Sequence, residues 1–222
     1  MSKIVTVSHA SKELLVSNLN IDPDKIVVSY NGIGSASQNF KNCSINKDID
    51  LLYVATFEKR KNHLTLLKSL MLVNEQLNVC FVGYDNGYKH EIDAFIKDNH
   101  LIHNIEIYSG LSEQELSELY LRAKLFVYPS LYEGFGMPLI EAASIGSRIV
   151  CSNLNVFKEL MKDYPVYFDP NNPVEIADVI CKNINVSDST KNDFDLTPFI
   201  WDSIALSLLK DIGLLDGDEN VN

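Results

Sequence analysis

The sequence lacks long apolar runs and an excess of positive charge, and we expect no secretory leader. No apolar stretch in its 222 residues approaches the about 18 residues that a membrane-spanning helix needs. The formal net charge of −11 argues against general nucleic-acid binding, because displacing counterions from phosphates requires a basic surface. The N-terminus becomes polar too quickly for a signal peptide. We therefore expect a cytoplasmic protein with no nucleic-acid partner and at most peripheral membrane contact.

Clustered cysteines and a dinucleotide-binding motif are also missing. Cys43, Cys80, Cys151 and Cys181 form no C-x-x-C pair and have no histidine at ligand spacing, so we expect reduced thiols that are mostly buried and no metal site. No G-x-G-x-x-G motif follows the first predicted strand. This absence disfavours a nicotinamide-binding or flavodoxin-like domain.

The sequence does contain short β-branched or aromatic runs that alternate with longer helical stretches. Near-continuous apolar strands in such an alternation predict an α/β fold, a doubly wound parallel sheet of the Rossmann-like type with helices on both faces. The predicted strands are Ile4–Val7, Ile26–Ser29, Asp50–Thr56, Asn78–Val82, Ile105–Tyr108, Leu125–Tyr128, Arg148–Cys151 and Val166–Phe168. The predicted helices are Ser11–Leu19, His63–Leu72, Lys89–Asp98, Glu113–Ala123, Pro138–Ser144, Val156–Met161 and Pro173–Asn183. Asn62 and Ser112 are predicted helix caps.

Two segments fit poorly into one compact sheet and suggest a division of the chain. Residues 31–48 are polar and contain glycine, which is typical of a linker. They separate a small N-terminal piece, residues 1–30, from a main domain at residues 49–190. In the remaining segment, residues 191–222, an apolar helical stripe predicts a helix that packs on another part of the protein. The stripe consists of Phe199, Ile200, Ile204, Leu208 and Leu209, next to the only tryptophan, Trp201.

The stretch "YPSLYEGFGMPLIEAASIG", residues 128–146, places a glycine-containing loop between a predicted strand and a predicted helix. Unpaired N–H groups and the helix dipole favour an anion at such a helix start. Gly134 and Gly136 permit close approach of the backbone to a ligand, and Glu133 and Glu141 offer acceptors for sugar hydroxyls. Taken alone, the two acids are also compatible with a solvated loop charge and a favourable helix-dipole contact.

A second candidate cluster lies in "TFEKRKNH", residues 56–63, which follows another predicted strand. Ligands bind at the carboxyl ends of strands in such sheets, and Arg60 and Lys61 at that edge would neutralise a diphosphate. Taken alone, the pair is better explained as two surface cations next to Lys59. Together with the glycine-containing loop they suggest a sugar nucleotide as the ligand. Because Lys61 and Glu133 are both predicted on loops, replacing either is expected to weaken ligand binding more than fold stability.

The run "LFVYPSLYEGFGMPLIEAASIGSRIVCS" resembles the Glu-x7-Glu segment of retaining glycosyltransferases of family 4, enzymes built from two Rossmann-like domains (the GT-B architecture). The resemblance extends over about residues 4 to 212, and its further matching runs occur in family order. They are "VTVSHASKELLV", "KIVVSYNGI", "YVATFEKRKNHLTLLKSL", "VCFVGYDNG", "YSGLSEQELSELYLRAKLF" and "FIWDSIALSLL".

The resemblance implies a role for each candidate residue. Glu133 would hold hydroxyls of the donor sugar, and Glu141 would hold the ribose. Arg60 and Lys61 would bind the diphosphate and stabilise the departing nucleoside diphosphate, where negative charge develops, so that Glu133, Lys61 and Arg60 are the candidate catalytic residues. Backbone contacts would come from Gly110 and Leu111 at the base, from the loop glycine Gly134, and from Phe135, Gly136, Met137 and Leu139 at the sugar or the phosphates.

The resemblance also implies transfer of a hexosyl group, with mannosyl favoured, from GDP-hexose or UDP-hexose to a glycan or lipid-linked acceptor in surface polysaccharide biosynthesis. The anomeric configuration would be retained, with no cofactor and no metal. Residues 1–30 resemble the last strand and helix of the N-terminal acceptor domain, so we expect a separate acceptor domain or a homo-oligomer to cover exposed apolar surfaces. None of the five histidines matches the catalytic histidine of the family. The alternative is a truncated, noncatalytic module that binds sugar nucleotides or a protein partner.

Overall fold

The structure is a computed structural model, and it describes residues 3–34, 46–186 and 194–214. Most of the predicted linker, part of the predicted tail and Cys43 lie outside the described residues. Among the described cysteines, Cys80 and Cys151 are buried, Cys181 is exposed, and all are free thiols. No helix in the described part of the chain combines the length and the apolar character needed to cross a bilayer.

The main domain is a parallel sheet of six strands with helices packed around it, which confirms the doubly wound prediction. Its strands are β3 (Ile49–Val54), β4 (Asn78–Val82), β5 (Asn104–Tyr108), β6 (Ala123–Tyr128), β7 (Ile149–Ser152) and β8 (Val166–Phe168). The central strand β3 is almost wholly buried, with Leu51, Leu52 and Tyr53 fully enclosed. A strand covered on both faces has to be apolar along its whole length, which is why the sequence shows a run and no alternation.

The helices that cover the sheet begin and end close to their predicted limits. They are α2 (His63–Leu70), α3 (Lys89–Asp98), α4 (Glu113–Arg122), α5 (Met137–Ser144), α6 (Asn155–Met161) and α7 (Pro173–Asn183). The cap predicted at Ser112 is confirmed, because its hydroxyl and the Glu115 side chain form a reciprocal capping box at the start of α4. Asn62 occupies the predicted N-cap position of α2, but the prediction that its side chain caps the helix is wrong. Asn62 precedes α2 with a φ of 64°, and its side chain makes no capping hydrogen bond.

The order of the strands creates a crevice in the middle of the sheet. The order is β5-β4-β3-β6-β7-β8, so the chain builds outward from β3 in one direction and then from β6 in the other. The loops that leave β3 and β6 therefore diverge at the carboxyl ends of these neighbouring strands. Such a topological switch point is where open α/β sheets bind their ligands.

The N-terminal piece forms a separate small sheet. β1 (Ile4–Thr6) and β2 (Ile26–Val28) are parallel and are joined by α1 (His9–Leu19). α1 packs against α6 of the main domain, where the carboxylate of Glu159 accepts hydrogen bonds from the amides of His9 (2.8 Å) and Ala10 (2.9 Å). The Tyr30 hydroxyl donates to the same carboxylate at 3.0 Å. One acidic side chain thus satisfies the start of α1 and fixes it to the main domain.

Replacing Glu159 with alanine is expected to loosen α1 from the main domain. Hydrogen bonds to a charged group contribute about 1.5–3 kcal/mol each, but the three bonds to Glu159 are exposed or part-buried and water can replace the carboxylate, so we expect a total loss of about 2 kcal/mol in the free energy of local opening. Hydrogen exchange measured by mass spectrometry would show faster exchange in residues 9–19. Lys158→Ala, an exposed neighbour on the same helix, is the matched control, and equal exchange in the two variants would contradict the clamp.

The C-terminal segment contains α8 (Trp201–Asp211), which is preceded by a 3₁₀ turn at Thr197–Phe199. Phe199 and Ile204 are buried, as the predicted stripe requires, and the Phe199 ring stacks on Tyr30 with centroids 5.8 Å apart. Trp201 is 58% exposed but lies against Gly32, where an added Cβ would come within 2.5 Å of the indole ring. The tail therefore packs on the segment that follows β2, while part of its apolar surface remains exposed.

Candidate functional site

A cavity of about 470 Å³ occupies the crevice at the switch point, and we call it the switch-point cavity. Most of the predicted site residues line it, although they come from three separate loops. The lining includes Arg60, Lys61, Gly110, Leu111, Glu133, Phe135, Gly136 and Met137. Three further candidates, Gly134, Leu139 and Glu141, are not part of the lining.

The centre of the cavity is a buried ionic cluster around the carboxylate of Glu133. Lys61 Nζ donates to Glu133 Oε1 at 2.5 Å, and Arg60 Nη1 donates to Oε2 at 2.9 Å. The hydroxyls of Tyr128 and Ser130 also donate to Oε1, at 3.1 Å and 2.9 Å. The side chains of Lys61 and Glu133 are each only 8% exposed. Both residues lie in loop segments as predicted, but there they form a buried pair, so replacing either one is also expected to affect stability.

Hydrogen bonds between the loops hold the cluster in place. The 3₁₀ turn Lys59–Lys61 follows β3 closely, and the Arg60 carbonyl accepts a hydrogen bond from the Leu131 amide at 2.8 Å. The side-chain amide of Asn62 donates to the carbonyls of Pro129 (3.0 Å) and Pro170 (2.8 Å). Asn62 tolerates the left-handed backbone conformation at this turn, and its side chain joins the loops after β6 and β8.

Gly136 determines how the loop enters α5. Its φ of +115° lies in the region that favours glycine, and an added Cβ would lie 2.9 Å from the Phe157 ring. The open N–H groups and positive dipole end of α5 are thereby placed beside the cationic pair. The amide of Leu139 does not face the cavity as expected, because it donates to the Gly136 carbonyl at 3.0 Å. The Leu139 side chain is fully buried. A first-turn hydrogen bond thus occupies an amide that was expected to face the ligand.

Glu141 lies one turn into α5, partly buried beneath the cavity. Its carboxylate accepts a hydrogen bond from the Tyr120 hydroxyl at 3.0 Å. Burial raises the pKa of Glu141, and the Tyr120 hydrogen bond partly offsets this shift. Gly134 faces α1, since its carbonyl accepts hydrogen bonds from the hydroxyls of Ser8 (2.8 Å) and Ser11 (3.2 Å).

Sequence reasoning missed several residues that shape the cavity. Gly83 and Tyr84 line it from the end of β4, and Thr56 and Tyr128 line it from the ends of β3 and β6. An added Cβ at Gly83 would lie 1.9 Å from the Ala55 carbonyl oxygen, so the two strand ends meet at a distance that only glycine permits. A glycine directly after the apolar run "VCFV" was the available signal, because glycine at a strand end often marks close backbone approach.

His63 lies under the cavity and has no hydrogen-bond partner on either ring nitrogen among the described residues. Its ring packs on Tyr53, Phe57 and Phe81, with the nearest centroid, that of Tyr53, at 4.6 Å. Burial lowers the pKa of His63 to about 3, and the charge of Lys61 adds to the effect. The imidazole is therefore neutral throughout the physiological range and packs as part of the aromatic core.

The described ranges contain no group of three histidine, cysteine, aspartate or glutamate side chains placed to hold a metal ion. The expectation that the reaction needs no metal stays a prediction. Two cations, a carboxylate and the start of a helix surround one cavity. Such a set suits a ligand that carries both phosphate and hydroxyl groups.

Comparison with known proteins gives a family and a consistent group of relatives. The family model described as "Glycosyl transferases group 1" matches residues 35–193. The O-antigen chain mannosyltransferase RfbU of Salmonella typhimurium is 28% identical over 168 residues, which are 76% of this chain and 47% of the relative. The O-antigen chain mannosyltransferase B of Escherichia coli is 29% identical over 196 residues, or 82% of this chain and 51% of the relative. The chain thus spans about half the length of these curated relatives.

Solved structures show the same fold. The structure of Anabaena Alr3699/HepE in complex with UDP superposes with a TM-score of 0.80 at 17% identity, covering 96% of this chain and 64% of that one. A glycosyltransferase from Rickettsia africae gives a TM-score of 0.77 at 20% identity, with the same coverage. The architecture is therefore that of the GT-B glycosyltransferase folds.

Proposed function

The chain belongs to the glycosyl transferases group 1 family, and we propose that it binds the nucleoside diphosphate sugar donor of a hexosyltransferase. The observation that carries this proposal is the buried Lys61–Glu133 pair with the part-exposed Arg60 beside it, which lies next to the start of α5 in the switch-point cavity. Desolvating a lysine and a carboxylate is costly unless they are paired or perform a function, and the part-exposed Arg60 adds a second cation at the edge of the pair. A diphosphate at this place would meet both cations and the helix start.

Donor binding would exchange partners within the cluster. Glu133 accepts hydrogen bonds from both Lys61 and Arg60. Diphosphate oxygens would take over these cations, so that carboxylate oxygens of Glu133 become available to hydroxyls of the donor sugar. During transfer, the oxygen of an acceptor hydroxyl would bond to the sugar carbon as the bond from that carbon to the diphosphate oxygen breaks, and the hydroxyl proton would pass to the released diphosphate oxygen. Lys61 and Arg60 would stabilise the negative charge that develops on the leaving group.

The remaining cavity residues would hold the nucleoside. Gly110 and Leu111 lie in the lining and would contact the base through backbone atoms. Phe135, Gly136 and Met137 would face the sugar or phosphates, whereas the Leu139 amide already donates to the Gly136 carbonyl. Glu141 would accept hydrogen bonds from the ribose in addition to the one it accepts from the Tyr120 hydroxyl.

The donor sugar that we propose is mannose carried by GDP, because the named curated relatives are O-antigen mannosyltransferases. UDP-hexose is the competing donor, since the related Anabaena structure contains UDP. We further propose that configuration is retained, that no metal is required, and that the acceptor is a glycan or a lipid-linked sugar in surface polysaccharide synthesis. Cytoplasmic localisation stays a prediction.

Competition between donors tests this function. Saturation-transfer NMR of the purified chain with GDP-mannose and UDP-glucose should show contact to the base, ribose and hexose protons of one donor. Added GDP or UDP of the matching base should displace that donor. A folded chain that contacts neither donor would overturn the assignment. Nucleotide contact without hexose transfer to any glycan, even with an acceptor domain supplied, would favour the noncatalytic binding module.

Replacing Glu141 with glutamine should separate binding from stability. Burial raises the folded pKa of Glu141, so the associated stability is present at low pH and is lost as pH rises through that folded pKa. The ionised carboxylate therefore disfavours folding at neutral pH. Glu141→Gln should increase the free energy of unfolding at pH 7, with little difference in acid, while nucleotide affinity falls. Urea unfolding at pH 7 and in acid measures the change in the free energy of unfolding. Lower stability of the variant at neutral pH would contradict this explanation.

A further inference from the structure

Tyr128 ends β6 in the lining of the switch-point cavity, and its hydroxyl lies between the two charges of the buried pair. Lys61 Nζ donates to this hydroxyl at 3.1 Å, and the hydroxyl donates to Glu133 Oε1 at 3.1 Å. Lys61 Nζ also donates directly to the same carboxylate oxygen. The three groups therefore form a closed ring of hydrogen bonds in which Tyr128 is the uncharged member. We call this arrangement the hydroxyl bridge.

The surrounding aromatic rings fix the position of the Tyr128 hydroxyl. Tyr128 is 1% exposed, and its ring packs edge-on against Tyr53 and tilted against Phe157, with centroids 5.6 Å and 5.5 Å away. The Tyr53 hydroxyl donates to the Lys61 carbonyl at 2.5 Å, so the same aromatic layer also holds the backbone of Lys61. Side chains in such a close-packed environment keep one rotamer. The hydroxyl is therefore directed at the buried pair before any ligand binds.

Tyr128 stays protonated at neutral pH. Burial raises the pKa of Tyr128 well above the usual value for tyrosine, and the charge of Glu133 adds to the effect. The hydroxyl therefore keeps a proton to donate to the carboxylate and a lone pair to accept from the ammonium. A neutral group that is both donor and acceptor can satisfy both charges, whereas an ammonium group only donates and an ionised carboxylate only accepts.

The exchange of partners that donor binding requires would be costly without such a group. Diphosphate oxygens have to draw Lys61 away from Glu133, and separating a buried pair leaves each charge without its partner. As Lys61 Nζ turns to the diphosphate, it can keep one N–H on the Tyr128 hydroxyl. Glu133 Oε1 meanwhile keeps the hydroxyl donors Tyr128 and Ser130, the latter at 2.9 Å. The hydroxyl bridge thus lowers the cost, because neither charge loses all its hydrogen bonds.

We propose that Tyr128 is a positioning residue that allows the Lys61–Glu133 pair to open for the donor diphosphate. The proposal rests on the proposed function, because the pair opens only if a diphosphate binds there. Tyr128 acts through Lys61 and Glu133, which it keeps oriented while they exchange partners. Ser130 supports the carboxylate, whereas Tyr128 joins the two charges to each other.

Replacing Tyr128 with phenylalanine isolates the hydroxyl, because the variant keeps a ring whose centroid lies 5.4 Å from Lys61 Nζ. Isothermal titration with GDP and UDP should show a loss of about tenfold in affinity for the nucleotide that binds, which corresponds to about 1.4 kcal/mol. In a Lys61→Met background the same change should cost less than about threefold, because no ammonium remains to be held. Tyr164→Phe, which removes a hydroxyl that donates to the Ser147 carbonyl at 3.0 Å outside the cavity lining, is the matched control and should leave nucleotide affinity unchanged.

A measurement on the unmodified chain tests the hydroxyl bridge without relying on the folding of a variant. Proton–nitrogen NMR spectra selective for lysine ammonium groups should show a protected Lys61 signal, identified by its absence in Lys61→Met. The nuclear Overhauser contact between this ammonium and the Tyr128 ring should persist when the nucleotide is bound. Absence of the contact in the nucleotide complex would overturn the proposal, because the bridge would then have broken on binding.

The outcomes separate this role from the proposed function. An unmodified chain that binds neither GDP nor UDP would overturn both proposals, since the role of Tyr128 depends on donor binding. Nucleotide binding that Lys61→Met weakens but Tyr128→Phe leaves unchanged would overturn the role of Tyr128 and leave the donor site standing. Equal losses from Tyr128→Phe in the unmodified and Lys61→Met backgrounds would also overturn it, because a purely structural defect acts independently of the lysine.

Discussion

Replacing Lys61 with methionine is expected to lower nucleoside diphosphate affinity at least tenfold and to destabilise the fold. Hydrogen bonds to charged groups contribute about 1.5–3 kcal/mol, which corresponds to a loss of about ten- to hundredfold in affinity. Methionine keeps much of the volume of lysine but removes the cation nearest to the buried Glu133 carboxylate. The cation that remains, Arg60, is 42% exposed and therefore compensates a buried charge less well. Removing one partner of a buried pair costs about 3 kcal/mol. Titration calorimetry and urea unfolding measure the two effects.

A second substitution separates the loss of binding from the loss of stability. The double variant Lys61→Met/Glu133→Gln has no uncompensated carboxylate, so it should be more stable than Lys61→Met alone while its nucleotide affinity stays at least about tenfold reduced. Lys59→Met is the matched control, because Lys59 is an exposed lysine on the same turn and lies outside the cavity lining. Unchanged nucleotide affinity in Lys61→Met, or an equal loss in Lys59→Met, would contradict the assigned role.

Replacing Gly83 with alanine is expected to give the largest loss of stability of any single methyl group added near the site. The new Cβ would lie 1.9 Å from the Ala55 carbonyl oxygen, a backbone atom that cannot rotate away. Around this contact the amide of Ala55 donates to Val82 and the amide of Gly83 donates to Tyr108, each at 2.9 Å. Relieving the clash would pull apart the ends of β3, β4 and β5. Overpacking costs about 1–3 kcal/mol or more, and we expect the upper end.

The same substitution should reshape the switch-point cavity, because Gly83 is part of its lining. Urea unfolding gives the stability, and nucleotide titration of the fraction that remains folded gives the effect on the site. Gly34→Ala is the control, since an added Cβ there meets nothing within 4 Å and the backbone has no positive φ. That change should stay within about 0.5 kcal/mol. Equal stabilities for the two variants would show that the strand ends separate at little cost.

Much of the fold could be predicted because local sequence patterns determine it. A strand buried on both faces requires a continuous apolar run, and "LLYV" and "LFVY" satisfy this requirement at β3 and β6. The capping box at Ser112 involves residues only three apart and was equally readable. Asn62 was misassigned because its side chain bonds to Pro129 and Pro170, partners that are distant in sequence.

The candidate site was predicted as a set of residues but not as a geometry. Lys61 and Glu133 are 72 positions apart, and lysine and glutamate are usually exposed, so nothing local indicates that they form a buried pair. The clamp between Glu159 and α1 spans about 150 positions and gave no signal either. Such contacts follow from the order of the strands, which sequence patterns constrain only weakly.

Isothermal titration calorimetry of the purified chain with GDP and with UDP tests donor binding most directly. We predict that one nucleotide, GDP if the donor is GDP-mannose, binds with one site per chain, and that Lys61→Met reduces its affinity at least about tenfold. A folded, monodisperse chain that binds neither nucleotide, or that binds equally well after Lys61→Met, would contradict the assignment of the switch-point cavity as the donor site.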